Sequence, residues 1–299
     1  MRLANLRRGD ALVPAVLTGE GVFELRLGLD SVSADESLFG SGPALLFDLA
    51  IASGIPDMAE SLQHAVVRGV LPHHTEAELG PPVTRPGKII GVGRNYASHA
   101  RELGHEIPDH PILFAKFANA IIGPTDDIVR PVGVHDLDYE GELCVILGRA
   151  GHHIPKEHAL EYVAGYCCAN DVSARTAQLQ SGDQWLRGKS FDTFCPLGPA
   201  LVTRDEVADP QALRIRTWVD GELRQDDSTA NMIFDVATLV SYCSDVFTLE
   251  PGDIILTGTP PGVGMGRTPP SWLQPGQLVE IEIDGFGRIA NRVVDADRG

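Results

Sequence analysis

From residue 88 to its C-terminus the chain is cut into short apolar runs rich in Val and Ile, each stopped by glycine, proline or aspartate. β-Branched side chains favour extended backbone, and the punctuating residues favour turns, so this pattern calls for strands joined by tight connections. Residues 215–219 and 222–224 flank Asp220-Gly221, and Asp-Gly between strand-like runs signals a two-residue hairpin. Residues 278–283 alternate, turn through Asp284-Gly285 and return over residues 288–294. Helical spacing is scarcer: Ile233, Val236, Leu239, Val240 and Cys243 share a face and predict a helix over residues 233–246. The expected class is α+β, mainly β. Ahead of this, residues 1–80 read as a small α+β module, with a strand at residues 21–26 and a helical region over residues 44–69 broken at Gly54-Ile55-Pro56. The stretch 79–87, with three prolines and two glycines, is the expected boundary, and residues 86–299 the larger domain, opened by a strand at residues 88–93.

A length of 299 residues with 43% hydrophobic side chains supports a sizeable core in one or two domains. The net charge of −17 opposes binding to nucleic acid or an anionic membrane surface, since both require a basic footprint. An acidic substrate would need a locally positive site. Only four lysines occur, Lys88, Lys116, Lys156 and Lys189. Five cysteines, an odd number without C-x-x-C spacing, read as reduced thiols and not as a disulfide framework or zinc site. No run approaches the ~18 apolar residues of a membrane span, and the N-terminus lacks a secretory pattern. The expected compartment is the cytoplasm.

The chemistry concentrates in LDYEGELCVIL, residues 137–147. On a strand, Glu140 and Glu142 project to one face, roughly 6.5–7 Å apart at Cα, while Leu143, Val145 and Leu147 face a core. Two adjacent carboxylates repel unless something positive lies between them. Alone, such a pair belongs to a solvated face, but Asp171 follows a second apolar run, again where a strand ends. Three carboxylates without histidine or thiolate suit Mg²⁺ or Mn²⁺, with positions left for water and substrate oxygens. Separately, His99 and Glu102 share a helical face, so the carboxylate can orient the imidazole.

The ordered motifs GVGRNYASHARE, DYEGEL, NDVSAR, RGKSFDTFCPLGP and LTGTPPGVG together resemble the fumarylacetoacetate hydrolase superfamily, from about residue 86 to about residue 295. The resemblance implies a mixed β-sandwich roll, usually a homodimer, that holds Mg²⁺ or Mn²⁺ through Glu140, Glu142 and Asp171, with Ca²⁺ able to take that place in crystals. It implies that His99 and Glu102 form a water-activating dyad on a segment closing over substrate, with residues 104–111 as a mobile lid, and that Lys189 stabilises developing oxyanion charge. Lys116 resembles a second family lysine at the site edge. The serine that many relatives carry near residue 119 is replaced here by Asn119. Arg94, Tyr96, Arg175, Gln178, Gly258 and Thr259 are the expected substrate contacts.

The implied substrate is a small 2-oxo acid. The preferred reaction is hydrolysis of a C–C bond in a 2,4-dioxo acid of the acylpyruvate or fumarylpyruvate type, as in the breakdown of aromatic compounds. Isomerisation, decarboxylation or dehydration on the same scaffold is the alternative. A non-catalytic 2-oxo acid binding protein is the remote one, disfavoured because a pure binder needs no base beside a metal.

Overall fold

The computed structural model describes residues 1–24, 72–180 and 184–297. The helical region expected over residues 44–69 and the end of the strand expected at residues 21–26 lie outside the described residues.

Three N-terminal strands, β1 (Arg2–Arg8), β2 (Ala11–Thr18) and β3 (Gly21–Glu24), form an antiparallel meander. The remaining long strands are β4 (Ile89–Gly93), β5 (Ile112–Lys116), β6 (Ile128–Arg130), β7 (Gly141–Leu147), β8 (Val163–Asn170), β9 (Cys195–Thr203), β10 (Arg214–Val219), β11 (Glu222–Ser228), β12 (Ile254–Leu256), β13 (Leu278–Ile283) and β14 (Gly287–Asp295). The larger sheet runs β3-β2-β1-β9-β8-β7-β12-β4-β5, with His73–His74 at the β3 edge. The smaller runs β11-β10-β13-β14-β6. They pack face to face where β7, β8 and β9 meet β10, β13 and β14, giving a mainly β sandwich with few helices. β1 pairs with β9, Arg2 opposite Val202, so the N-terminal meander continues the sheet that contains β7 and β8.

The hairpin at Asp220-Gly221 forms as its residues dictate. Both have positive φ, 50° and 78°, and Val219 pairs with Glu222 across a two-residue loop, the geometry that matches strand twist. At Asp284-Gly285 the loop has three residues, because Ile283 pairs with Gly287 and Phe286 turns into the core. β7 is buried on both faces. Leu143, Val145 and Leu147 enter one apolar cluster, with Ile215, Ile281 and Ile289 of the smaller sheet, while Cys144 and Ile146 enter a second.

The described helices are α1 (Ala97–Glu102), α2 (Arg175–Leu179), α3 (Leu186–Lys189) and α4 (Val236–Val246), besides 3-10 turns. α4 begins three residues later than its apolar spacing predicts. Asp235 caps it, its carboxylate accepting from the Thr238 amide at 2.7 Å and the Thr238 hydroxyl at 2.6 Å, and a capping residue has extended backbone. The Ile233 amide donates instead to the Asn95 carbonyl.

Candidate active site

Strand register brings the three acids together. β7 and β8 are antiparallel with Gly141 opposite Asn170. The pairing runs one step further, with the Asp171 amide donating to the Glu140 carbonyl at 2.9 Å and the Glu140 amide to Asn170 Oδ1 at 3.0 Å. Glu140 and Asp171 therefore face each other at the ends of neighbouring strands, and Glu142 lies one pleat along. Their ligand atoms all lie within 4.8 Å of one another, and all three residues are buried. The glycine between the glutamates is required, because a Cβ on Gly141 would stand 2.3 Å from Thr217 Oγ1 on the opposing sheet.

Three buried cations surround the acids. Lys189 Nζ donates to Glu140 Oε2 at 2.7 Å and to Asp171 Oδ2 at 2.6 Å. Lys116 Nζ donates to Asp171 Oδ1 at 2.7 Å. Arg175 pairs with Glu140 Oε1 at 2.8 Å and with Asp138 Oδ2 at 2.7 Å. Asp138 is a fourth buried acid, also accepting from the Gly264 and Met265 amides. Burial disfavours the Glu140 carboxylate, yet Lys189 and Arg175 outweigh it and hold the group well below the usual carboxylate range. Lys189, whose charge burial opposes, is raised by Asp171 and Glu140.

Glu142 differs from its neighbours. Its only direct partner among the described residues is the Gly258 amide, 2.7 Å from Oε2. Burial, then the charges of Asp171 and Glu140, push its carboxyl well above the usual range. Four buried acids against three buried cations leave one negative charge uncompensated, and it falls on Glu142. A buried carboxylate without counter-charge, next to two others, is what a hard divalent cation completes. The donor set fits such an ion.

The dyad lies on α1. His99 Nδ1 is 3.2 Å from Glu102 Oε2, and since a carboxylate only accepts, Nδ1 carries a proton, which in the neutral ring makes Nε2 the basic nitrogen. Glu102 in turn accepts from the Gly262 amide at 2.9 Å. It rests against Gly266, where a Cβ would stand 2.4 Å from its Cδ. α1 ends at Gly104 with φ 71°, a left-handed stop suited to glycine. Residues 105–108 beyond it have no regular secondary structure.

One cavity brings His99, Glu140, Glu142, Arg175 and Lys189 to one space. Arg94, Gln178 and Thr259 also line it. Tyr96, Lys116 and Gly258 stand behind this wall. Tyr96 is fully buried and its hydroxyl has no hydrogen-bond partner among the described residues, Lys116 is spent on Asp171, and the Gly258 amide is spent on Glu142. The Thr259 hydroxyl donates to the Gly141 carbonyl and accepts from Gln225, so the loop expected to grip substrate braces the glutamate strand. Asn119 donates to the Ser190 carbonyl at 3.1 Å and to Asp192 Oδ1 at 2.6 Å.

Several neighbours escape sequence reasoning. Asp138 stands two residues before Glu140, so strand alternation alone could have placed it on the same face. Phe114, Trp185 and His105 line the cavity from separate elements, and no local spacing connects them.

Residues 88–294 match the family described as "Fumarylacetoacetate (FAA) hydrolase C-terminal". A mitochondrial oxaloacetate tautomerase of Rattus norvegicus is 51% identical over 213 residues, 71% of this chain and 68% of its own. The Homo sapiens mitochondrial oxaloacetate tautomerase is 49% identical over 226 residues, 75% of this chain and 72% of its own. Among solved structures, the maleylpyruvate hydrolase of Sphingobium sp. SYK-6, in complex with manganese (II) ion and pyruvate, superposes with a TM-score of 0.79. It is 30% identical and covers 99% of this chain and 100% of that one. The expectation of a cytoplasmic compartment is corrected by these comparisons, since the rat, bovine and human relatives are mitochondrial by name; absence of a membrane span or secretory pattern does not single out a compartment. With the match covering well over half of its length and relatives about half identical along it, the chain belongs to the fumarylacetoacetate hydrolase family.

Proposed function

We propose that this enzyme interconverts the enol and keto forms of a small 2-oxo dicarboxylic acid of the oxaloacetate class, using Mg²⁺ or Mn²⁺. The observation that carries the reading is the single cavity in which the oriented base His99 faces the acid–cation cluster. The relatives at about half identity are named for this reaction, and their similarity covers most of the chain.

A divalent ion held by Glu140, Glu142 and Asp171 would polarise the 2-oxo group as a Lewis acid. His99 Nε2 then takes a proton from C3 of the keto form. Glu102, fixed by the Gly262 amide, holds the Nδ1 proton and stabilises the imidazolium. Charge moves to the 2-oxo oxygen, where the Lys189 ammonium favours it, and the proton carried by His99 is delivered to that oxygen. Val92, Leu103 and Met265 supply apolar wall to the same cavity. Tautomerisation consumes no water, in keeping with a base that faces the acid–cation cluster directly.

C–C hydrolysis of an acylpyruvate is the second reading, supported by the similarity to maleylpyruvate hydrolase. In it His99 would deprotonate water instead of C3. The assay follows the ultraviolet absorbance of enol-oxaloacetate, and of fumarylpyruvate and acetylpyruvate, with Mg²⁺, with Mn²⁺ and with EDTA. Decay of enol-oxaloacetate, accelerated by enzyme and metal and reduced about 10²- to 10⁴-fold in His99→Ala, is expected. Cleavage of the acylpyruvates with no effect on oxaloacetate would replace the first reading by the second. We propose a homodimer as the working assembly, checked by light scattering.

A further inference from the structure

Arg94 stands apart from the other cations of the site. Lys116, Lys189 and Arg175 are each paired with buried acids, whereas Arg94 has no ion pair or hydrogen bond among the described residues and still lines the same cavity. Burial lowers its pKa, so an unpaired guanidinium is held there against a desolvation penalty. In a chain of 41 acidic and 24 basic side chains, a cation left without an acid at a cavity wall is a place for an anion from outside.

Its position is also enforced. Arg94 has φ 57°, a left-handed conformation uncommon for residues with a side chain. The adjoining Asn95 is buried and ties three strands of chain together, donating to the Thr257 and Phe234 carbonyls and accepting from the Phe234 amide. The guanidinium then lies 5.5 Å over the ring of Trp185. That ring can lie against β4 only because Gly93 lacks a side chain, since a Cβ there would stand 2.3 Å from it. Gly91 does the same for Phe114, where a Cβ would meet the ring at 2.1 Å. The Phe114 and Trp185 rings are neighbours at 5.5 Å, and Lys189 Nζ lies 5.2 Å over Phe114. The two glycines of GVGR thus create a two-ring shelf with one cation over each ring. Lys189 belongs to the carboxylate cluster, and Arg94 to the far end.

We infer that Arg94, held over the Trp185 ring, is the specificity residue that takes the second carboxylate of a 2-oxo dicarboxylate whose 2-oxo end lies at Glu140, Glu142 and Asp171. The inference rests on the 2-oxo acid reading of the cavity and deepens it. A planar guanidinium backed by an aromatic ring offers two parallel N–H donors to a carboxylate, and a monocarboxylate of the same shape would leave it unpaired.

The test uses two unreactive ligands that share a skeleton and cannot enolise, N-oxalylglycine and N-ethyloxamate. They differ only in a carboxylate against a methyl group. Binding is measured by calorimetry with Mn²⁺ present. Wild type is expected to prefer the diacid. Arg94→Gln should weaken the diacid about 10- to 100-fold, as loss of a charge-assisted pair does, and leave the monoacid within about threefold. Arg94→Lys should retain part of the preference, because charge remains without the planar fork. Trp185→Leu, which removes the shelf and keeps the arginine, should lose part of it and serves should the Arg94 variants misfold. Equal losses for both ligands, or an unchanged preference in Arg94→Gln, overturn the inference. An Arg94-dependent preference in a protein that does not tautomerise oxaloacetate would uphold the clamp and reject the reaction, and normal oxaloacetate turnover in Arg94→Gln would do the reverse.

Discussion

Glu140 and Glu142 are indistinguishable in the sequence, two acids on one face of one strand, yet their surroundings assign them opposite energetics. Glu140 is neutralised by Lys189 and Arg175, whereas Glu142 is buried beside like charge with one amide donor. Glu140→Gln should therefore destabilise the chelated protein by about 3–5 kcal/mol, the cost of leaving buried cations unpaired. Glu142→Gln removes the uncompensated charge and should leave the chelated protein as stable as wild type or more so. Both should abolish Mn²⁺ binding and turnover. Denaturant melts in EDTA, paired with calorimetric titration of Mn²⁺, separate the two variants; equal destabilisation by both would refute this division of charge. The three acids were legible because strand alternation aligns the glutamates and an apolar run leads to Asp171, whereas Asp138 was missed although it stands at the same two-residue spacing. Which acid lacks a counter-charge was not legible, because Lys116, Lys189 and Arg175 come from three other elements.

At the level of elements, the dyad depends on the glycine loop beneath it. α1 is too short to position His99 by itself, and Glu102 is held by the Gly262 amide and by the space over Gly266. Gly266→Ala should displace the Glu102 carboxylate and lower kcat by up to about a hundredfold through misorientation of His99, with a thermal midpoint close to wild type. Combining it with Glu102→Asp, whose shorter side chain clears the methyl group, should recover part of kcat; no recovery would mean that the loop acts by another route. Asp235, the cap of α4, gives a second test. Substitution by Ala should cost about 1 kcal/mol. Burial opposes its charge, but Lys156 and Thr238 lower its pKa below the ordinary value, so its contribution is present above the unfolded pKa and lost as pH falls through the folded one. The gap between Asp235→Ala and wild type in urea melts should therefore close on acidification below about pH 4. The α4 face was legible from its spacing. Its start was not, since Ile233 fits the apolar pattern but, like Phe234 beside it, donates its amide to Asn95.

For the molecule as a whole, the hairpins and the β-rich class follow from local residues, whereas the union of β1 with β9 joins positions 2 and 202 and has no local signal. The same long-range closure explains how the site is held before any ion arrives. Lys189 and Lys116 neutralise Asp171, and Lys189 with Arg175 neutralises Glu140, so a cluster that would otherwise repel itself is compatible with a folded chain. EDTA should leave the protein folded, and Mn²⁺ at about 100 times its Kd should add about 2.7 kcal/mol by mass action. Lys189 and a divalent ion serve the same two carboxylates, so their effects on stability should not be additive. Lys189→Met is expected to lose about 3–5 kcal/mol in EDTA, and a smaller amount with Mn²⁺, because the ion then supplies charge that the lysine no longer does. The measurement is a double cycle, wild type and Lys189→Met, each melted in urea with EDTA and with saturating Mn²⁺. An identical deficit under both conditions would show that the lysine and the ion act on separate parts of the site.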